Sequence, residues 1–131
     1  ELRSISAKIG SDCPFFISNK PKYVTGCGDV LNDIHLNLSN YKIQIYTPKI
    51  NISTKDAFDK ISPNSNNDGI ILQNVTKPIH FWKNYIYNDF EALHASDSEI
   101  TKIRKKAYKN GAIYSSMTGT GSAVYAIFEK S

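Results

Sequence analysis

The sequence predicts an α+β fold, a mostly antiparallel sheet of about four strands with helices packed on one face. Three observations predict it. Tyr41, Ile43 and Ile45 alternate with Lys42 and Gln44, the period of a strand with one buried side. Two apolar runs, 112–117 and 123–128, flank Thr118-Gly-Thr-Gly-Ser122, the pattern of two strands meeting at a glycine turn. Between these strand regions, 78–93 and 96–109 carry apolar residues at helical spacing.

Taken in order, Leu2, Ile5 and Ile9 fall on one helical face, and Gly10 is a natural stop. Beyond Asp12 and Pro14, residues 15–18 read as a short strand. A second strand over 22–25 is closed by Gly26-Cys-Gly28, and 31–38 reads as an edge strand. Pro48 ends the alternating strand 41–45. Ser53 or Thr54 then caps a short helix, with Asp56 three residues after Ser53 and Ala57, Phe58 and Ile61 as its apolar face. Residues 62–69 form a polar loop. Pro78 suits the first turn of a helix whose buried stripe is Trp82, Ile86, Phe90 and Leu93. Ser96-Asp-Ser-Glu99 reads as a capping box for the next helix, where Ile100, Ile103 and Ala107 face inward and Gly111 marks the end. The final strand is apolar on both faces and is therefore expected to be central.

Size and composition narrow the function classes. The 131 residues, 40% hydrophobic and 21% charged, suffice for a single domain spanning 1–131 with its own core. No apolar run approaches the roughly 20 residues that span a bilayer, and no secretory signal opens the chain. There is no initial Met, and Glu1 leads directly into a helical pattern, so the chain reads as part of a longer protein. The net charge of +4 rests almost wholly on lysine, Arg3 and Arg104 being the only arginines. Base readout and stacking favour arginine, so a solvated helix face explains the charge better than a nucleic-acid surface. Cys13 and Cys27 are too few for a disulfide framework or a zinc site and fit a reducing, cytoplasmic setting. His35, His80 and His94 have no ligand spacing, and no metal site is expected. The sequons at Asn37, Asn51 and Asn74 are expected by chance in a chain this rich in Asn.

Two segments carry the chemistry. Asp12 stands at a junction between elements, where it either caps a turn or takes a proton from a substrate hydroxyl. In Thr118-Gly-Thr-Gly-Ser122, the glycines serve either a tight hairpin or a backbone that binds phosphate oxygens through bare N–H groups. It is not a Walker loop, since no Lys follows the second glycine. Gly26-Cys-Gly28 is a weaker version of the same pattern. Thr54 and Phe58 read either as cap and core or as a hydroxyl and an aromatic that stack and orient a base. Asn88-Asp89 interrupts an apolar stripe, and a buried polar pair there would hold a neighbouring loop.

The order of Ile9-Gly-Ser-Asp-Cys-Pro-Phe-Phe16, Gly26-Cys-Gly28, Pro48 with Ser53-Thr54 and Ala57-Phe58, Asn88-Asp89-Phe90, and Met117-Thr-Gly-Thr-Gly-Ser122 resembles the C-terminal part of the GHMP kinase superfamily. Within it, the chain is most similar to the branch that phosphorylates a cytidine diphosphate-methylerythritol in non-mevalonate isoprenoid synthesis. The resemblance implies a ferredoxin-like arrangement. It implies that Asp12 is the catalytic Asp acting on the methylerythritol hydroxyl, and that Cys27, Thr54 and Phe58 line the cytidine pocket. It places Thr118, Gly119, Thr120, Gly121 and Ser122 near the phosphates. The family usually has an aliphatic residue at Cys27 and a Ser at Thr118. Its phosphate-binding loop, and a Lys that pairs with the catalytic Asp, are not found in these residues. The resemblance therefore implies that ATP and Mg²⁺ are bound mainly by an absent N-terminal part of the same polypeptide, and that this chain alone is inactive. It implies a small-molecule substrate and neither nucleic acid nor membrane. The alternatives are another GHMP kinase, acting on mevalonate derivatives, homoserine or a sugar, and a non-enzymatic α+β binding module.

Overall fold

The computed structural model describes residues 2–10, 12–62 and 69–130. The chain divides into two compact units, Glu1–Asn37 and Leu38–Ser131.

The first unit contains helices α1 (Leu2–Ser6) and α2 (Cys13–Ser18) and the antiparallel hairpin β1 (Lys22–Thr25) with β2 (Val30–Asp33). The register pairs Lys22 with Asp33, and their side chains form an ion pair that lowers the Asp33 pKa. The segment expected as a strand over 15–18 is instead helix α2. Pro14 fits the first turn of a helix, where its missing N–H is not needed, and Asn19 ends it in the left-handed region at φ 44°. Three apolar residues in a row, Phe15, Phe16 and Ile17, carry no period that separates strand from helix. The edge strand expected over 31–38 is confined to Val30–Asp33.

The second unit is built on a three-stranded antiparallel sheet, β3 (Tyr41–Tyr46), β5 (Val124–Glu129) and β4 (Tyr114–Met117), in the order β3-β5-β4. The class is α+β, and among the described residues the strands pair antiparallel and divide three and two between two sheets. Strand β5 is central, as its apolar pattern predicts, and Val124, Ala126 and Ile127 are buried. On one face, Ala107 of helix α6 (Glu99–Lys109) meets Ala112 and Ala126, and Ile100 meets Met117 and Val124. Burial of side chains the size of Ile100, Met117 and Val124 stabilises by about 1.5–3 kcal/mol each. On the other face, the Trp82 ring lies edge-on to Tyr114 with centroids 5.5 Å apart, and Tyr114 in turn neighbours Tyr125.

Helix α3 (Thr54–Lys60) is capped as expected, the Ser53 hydroxyl accepting the Asp56 N–H at 3.2 Å. Residues 63–68 of the polar loop lie outside the described residues, and a short helix α4 (Ile70–Asn74), unforeseen in the sequence, follows. The continuous helix expected from Pro78 is broken into a 3₁₀ turn (Ile79–Phe81), helix α5 (Trp82–Tyr85) and a second 3₁₀ turn (Asp89–Leu93). Ile86 and Asn88 take extended conformations, and the Asn88 side chain accepts the Phe90 N–H, opening a new turn where the helix would have run on. Only Trp82 of the expected stripe is fully buried. The capping box expected at Ser96 is replaced by Ser98, whose hydroxyl oxygen accepts the Thr101 N–H.

Candidate active site

In the first unit, Asp12 occupies the N-cap position of α2, yet its side chain makes no capping hydrogen bond to that helix. Asp12 borders a mostly apolar pocket of about 360 Å³ formed with Phe15, Phe16, Val24, Gly28 and Leu31. Cys27 is exposed and lies in a separate cleft lined by Arg3, Pro14 and Asp29. Its N–H donates to Asp29 Oδ1 at 3.0 Å, which fixes the turn between β1 and β2. Gly26 and Gly28 both take positive φ in that turn.

In the second unit, the structure brings together two segments that were singled out separately. The hydroxyls of Thr54, at the first turn of α3, and Thr120, in the β4–β5 loop, are 3.3 Å apart. One turn further along α3, Phe58 is 60% exposed and therefore not a core residue. Its ring is steadied by an edge-on contact with Phe90 at a centroid separation of 5.0 Å. Phe90 in turn packs on the Ile100–Met117–Val124 cluster, so the exposed aromatic stands on the core. A cleft of about 240 Å³ in the same unit is lined among others by Asp56, Lys60, His94 and Thr120, and neither Phe58 nor Phe90 lines it.

The 118–122 loop is fixed from several sides. Thr118 N–H donates to Ala123 O at 2.9 Å, and Gly121 N–H to Thr118 O at 3.0 Å, so the segment is a hairpin turn. Gly121 lies at φ +98°, and a Cβ there would come within 2.7 Å of Ile52 Cδ1 and Met117 Sδ. The Ser122 hydroxyl donates to Ile50 O at 2.8 Å, which commits it to the segment between β3 and α3. Gly119, at φ +56°, differs: nothing stands within 4 Å of its missing Cβ. Among the described residues, the N–H groups of Gly119 and Thr120 have no protein acceptor. The hairpin and the phosphate readings are thus compatible, with Gly121 serving the turn and Gly119 leaving the backbone open.

The sequence did not reveal the side chains that hold the outer edge of β4. Glu91 Oε1 accepts the Met117 N–H at 2.6 Å and the Ser116 hydroxyl at 2.9 Å, and its other oxygen is 2.6 Å from Arg104. Arg104 and Tyr108 donate to Ser115 O at 3.3 Å, and the Tyr108 oxygen accepts the Ser115 N–H at 3.0 Å. The Asn88 amide donates to Met117 O and Gly119 O, as expected of a polar group holding a loop. An unpaired strand edge is satisfied here by side chains. Two signals were present: a serine pair inside an otherwise apolar strand, and one arginine in a helix of lysines.

Among the described residues, no group of three or more His, Cys, Asp or Glu side chains is arranged to hold a metal ion. No helix among them is long and apolar enough to cross a membrane.

Residues 87–131, which include β4, the glycine loop and β5, match the family described as GHMP kinases C terminal. The chain is similar along its length to proteins named 4-diphosphocytidyl-2-C-methyl-D-erythritol kinase. It is 39% identical over 131 residues to that of Azobacteroides pseudotrichonymphae, covering 99% of this chain and 49% of the relative. It is 36% identical over 129 residues to that of Bacteroides fragilis, covering 98% and 47%. It is 36% identical over 132 residues to that of Cytophaga hutchinsonii, covering 98% and 48%. The chain spans about half the length of the curated relatives it matches. Over nearly its whole length the chain is similar to about half the length of the proteins named 4-diphosphocytidyl-2-C-methyl-D-erythritol kinase, and its last third matches the GHMP kinase C-terminal family.

Proposed function

We propose that residues 1–131 form the substrate-binding, C-terminal part of a cytoplasmic ATP-dependent kinase. The enzyme phosphorylates the 2-hydroxyl of 4-diphosphocytidyl-2-C-methyl-D-erythritol. The observation that carries this reading is the Thr54–Thr120 hydroxyl contact, which joins the helix bearing an exposed aromatic to a glycine loop with open N–H groups. A planar base needs the first, and an anionic phosphoryl group needs the second. Similarity to the named kinases over the whole chain supports the choice of substrate.

In this reading, Asp12 orients the substrate hydroxyl and receives its proton as the hydroxyl oxygen bonds to the γ-phosphorus and the bond to the ADP oxygen breaks. Phe58 stacks on the cytosine ring, with Thr54 and Cys27 as further contacts of the cytidine group. Backbone N–H groups at 118–122 face phosphoryl oxygens, where positioning and charge stabilisation supply most of the catalysis. ATP and Mg²⁺ are held mainly by an N-terminal part of the same polypeptide. Mg²⁺ would screen the phosphate charge, and the described residues offer no carboxylate cluster for it.

The test is ATP-dependent phosphorylation by the full-length protein, with and without Asp12→Asn. Turnover of 4-diphosphocytidyl-methylerythritol that falls at least a hundredfold in the variant, with unchanged folding, supports both substrate and residue. A folded, inactive wild type that CDP does not bind excludes this substrate. Turnover by the isolated 131-residue chain overturns the assignment of ATP to the absent part.

A further inference from the structure

Asn88 lies between α5 and the 3₁₀ turn that begins at Asp89, and its carboxamide works in two directions. Oδ1 accepts the Phe90 N–H at 3.0 Å, which starts the turn. Nδ2 donates to two carbonyls, Met117 at 3.0 Å and Gly119 at 2.7 Å. The peptide units that own these carbonyls, 117–118 and 119–120, are trans. In a planar trans peptide, the N–H points away from the C=O. The consequence is visible at the first unit. Its carbonyl is held by Asn88, and its N–H, that of Thr118, points the opposite way to Ala123 O.

At the second unit, the same geometry turns the Thr120 N–H away from Asn88. That N–H has no acceptor among the described residues. The unit is preceded by Gly119, which has no side chain to resist rotation and no neighbour within 4 Å of its missing Cβ. The Asn88 amide is thus the group that sets this peptide's orientation.

We propose that Asn88 is a positioning residue that locks the Gly119–Thr120 peptide with its N–H outward, as the donor for a phosphoryl oxygen. This rests on the phosphate-facing reading of 118–122 given above. A peptide dipole that is free to turn must reorganise before its positive end meets an anion. With its carbonyl pinned, the positive end faces the ligand before the ligand arrives, and no reorganisation is needed at the moment of transfer. Without the amide donor, the peptide rotates about Gly119 and presents its carbonyl to the anion for part of the time. Asn88 touches no substrate and acts through the backbone alone.

The test uses the full-length protein and Asn88→Asp. Asp keeps the side-chain oxygen that accepts the Phe90 N–H, so the turn retains its cap, but it has no N–H to give the carbonyls. Amide NMR signals of Gly119 and Thr120 are followed during titration with inorganic phosphate, and kcat and KM for ATP are measured. In the wild type, the Thr120 amide is expected to shift with phosphate. In Asn88→Asp, that shift is expected to fall at least fivefold and kcat at least tenfold, with Tm lowered by no more than a few degrees. If Asn88→Asp does not fold, Asn88→Ser, which also caps, gives the same reading. An unchanged kcat together with an unchanged Thr120 response overturns the proposal, as does a wild-type Thr120 amide that ignores phosphate. A wild type that turns over no substrate but shows the Asn88-dependent phosphate response leaves the positioning role intact and removes the proposed reaction.

Discussion

The carboxylate of Glu91 accepts the backbone N–H of Met117 at 2.6 Å, across 26 positions of the chain. Met117 is the last residue of an edge strand, and its N–H faces outward with no neighbouring strand to receive it. Glu91 supplies the missing acceptor, takes the Ser116 hydroxyl with the same oxygen, and pairs with Arg104 through the other. Glu91→Ala therefore leaves the buried Met117 N–H without an acceptor and breaks the ion pair of Arg104, which keeps Ser115 O, while the Ser116 hydroxyl falls back on Met117 O. The expected loss is on the order of 3 kcal/mol. For a unit of this size, Tm should fall by about 10 °C or more, read by thermal unfolding of the full-length protein. Glu91→Gln keeps an acceptor for Met117 but gives up the ion pair, so it should lose less. Equal stability of wild type and Glu91→Ala would mean that the edge is satisfied by water instead.

Phe58→Ala should raise KM for the cytidine substrate about tenfold while leaving kcat within a few-fold. The side chain is mostly exposed, and its removal from α3 takes away an edge-on contact with Phe90 but opens no core cavity. Stability should change by less than about 1.5 kcal/mol, the usual worth of such an aromatic pair. Binding by stacking is felt equally in the ground and transition states, which is why the effect belongs in KM. Steady-state kinetics with varied substrate check this. A fall in kcat with unchanged KM would assign Phe58 to the reacting geometry rather than to base recognition.

What was legible in the sequence followed the strength of the local signal. The strand at 41–46, the capped helix at Ser53, the central final strand and the glycine hairpin all appear in the structure, because turn chemistry and strand period are local properties. The buried side expected of 41–45 does not: Ile43 and Ile45 are exposed, and it is Tyr46, on the opposite face beside Val124, that packs on the core. The 15–18 run carries no period, so nothing local distinguishes helix α2 from a strand. The stripe from Trp82 to Leu93 had a helical period, but Asn88 overrode it by capping a new turn. At the candidate site, Thr54 and Thr120 were identified separately, yet nothing in their 66-residue separation told that they touch. The Glu91–Arg104–Tyr108 edge is likewise a tertiary property. Its trace in sequence was two serines where apolar residues were due.

Stability should fall steeply in alkali because of Tyr114 and Tyr125. Burial raises both phenol pKa values above their ordinary value, and Tyr114 donates its proton to Ile86 O at 3.0 Å. The unfolded chain ionises its tyrosines near pH 10, whereas the folded state holds these two neutral. The stabilisation is therefore fully present below about pH 10 and is lost as pH rises from there toward the raised folded values. Each phenol contributes up to about 1.4 kcal/mol per pH unit in that window. Denaturant midpoints measured from pH 8 to 11.5 should decline above 10, with tyrosinate absorbance appearing together with unfolding. The Tyr114→Phe variant should show a shallower decline. It should also lose roughly 1 kcal/mol at neutral pH from the unsatisfied Ile86 carbonyl. A decline equally steep in both proteins would point to another group.

The two glycines of the 118–122 loop should separate turn formation from ligand approach. At Gly121, alanine meets a backbone at φ +98° and overlaps Ile52 and Met117 at 2.7 Å. Strain and overpacking together should cost about 2–4 kcal/mol, so Gly121→Ala should appear mainly as lost stability. At Gly119, the left-handed φ of +56° costs alanine only about 1–2 kcal/mol, and the methyl group enters empty space. If that space is where a phosphoryl group sits, Gly119→Ala should lower kcat/KM for ATP at least tenfold while Tm falls by only a few degrees. If the loop is only a hairpin, the same methyl group is harmless and activity follows stability. Kinetics and thermal unfolding on the two variants of the full-length protein distinguish these cases. Wild-type kcat/KM in a stable Gly119→Ala protein would sink the phosphate-facing assignment of the loop, since no donor on that face could then lie within hydrogen-bonding distance of the ligand.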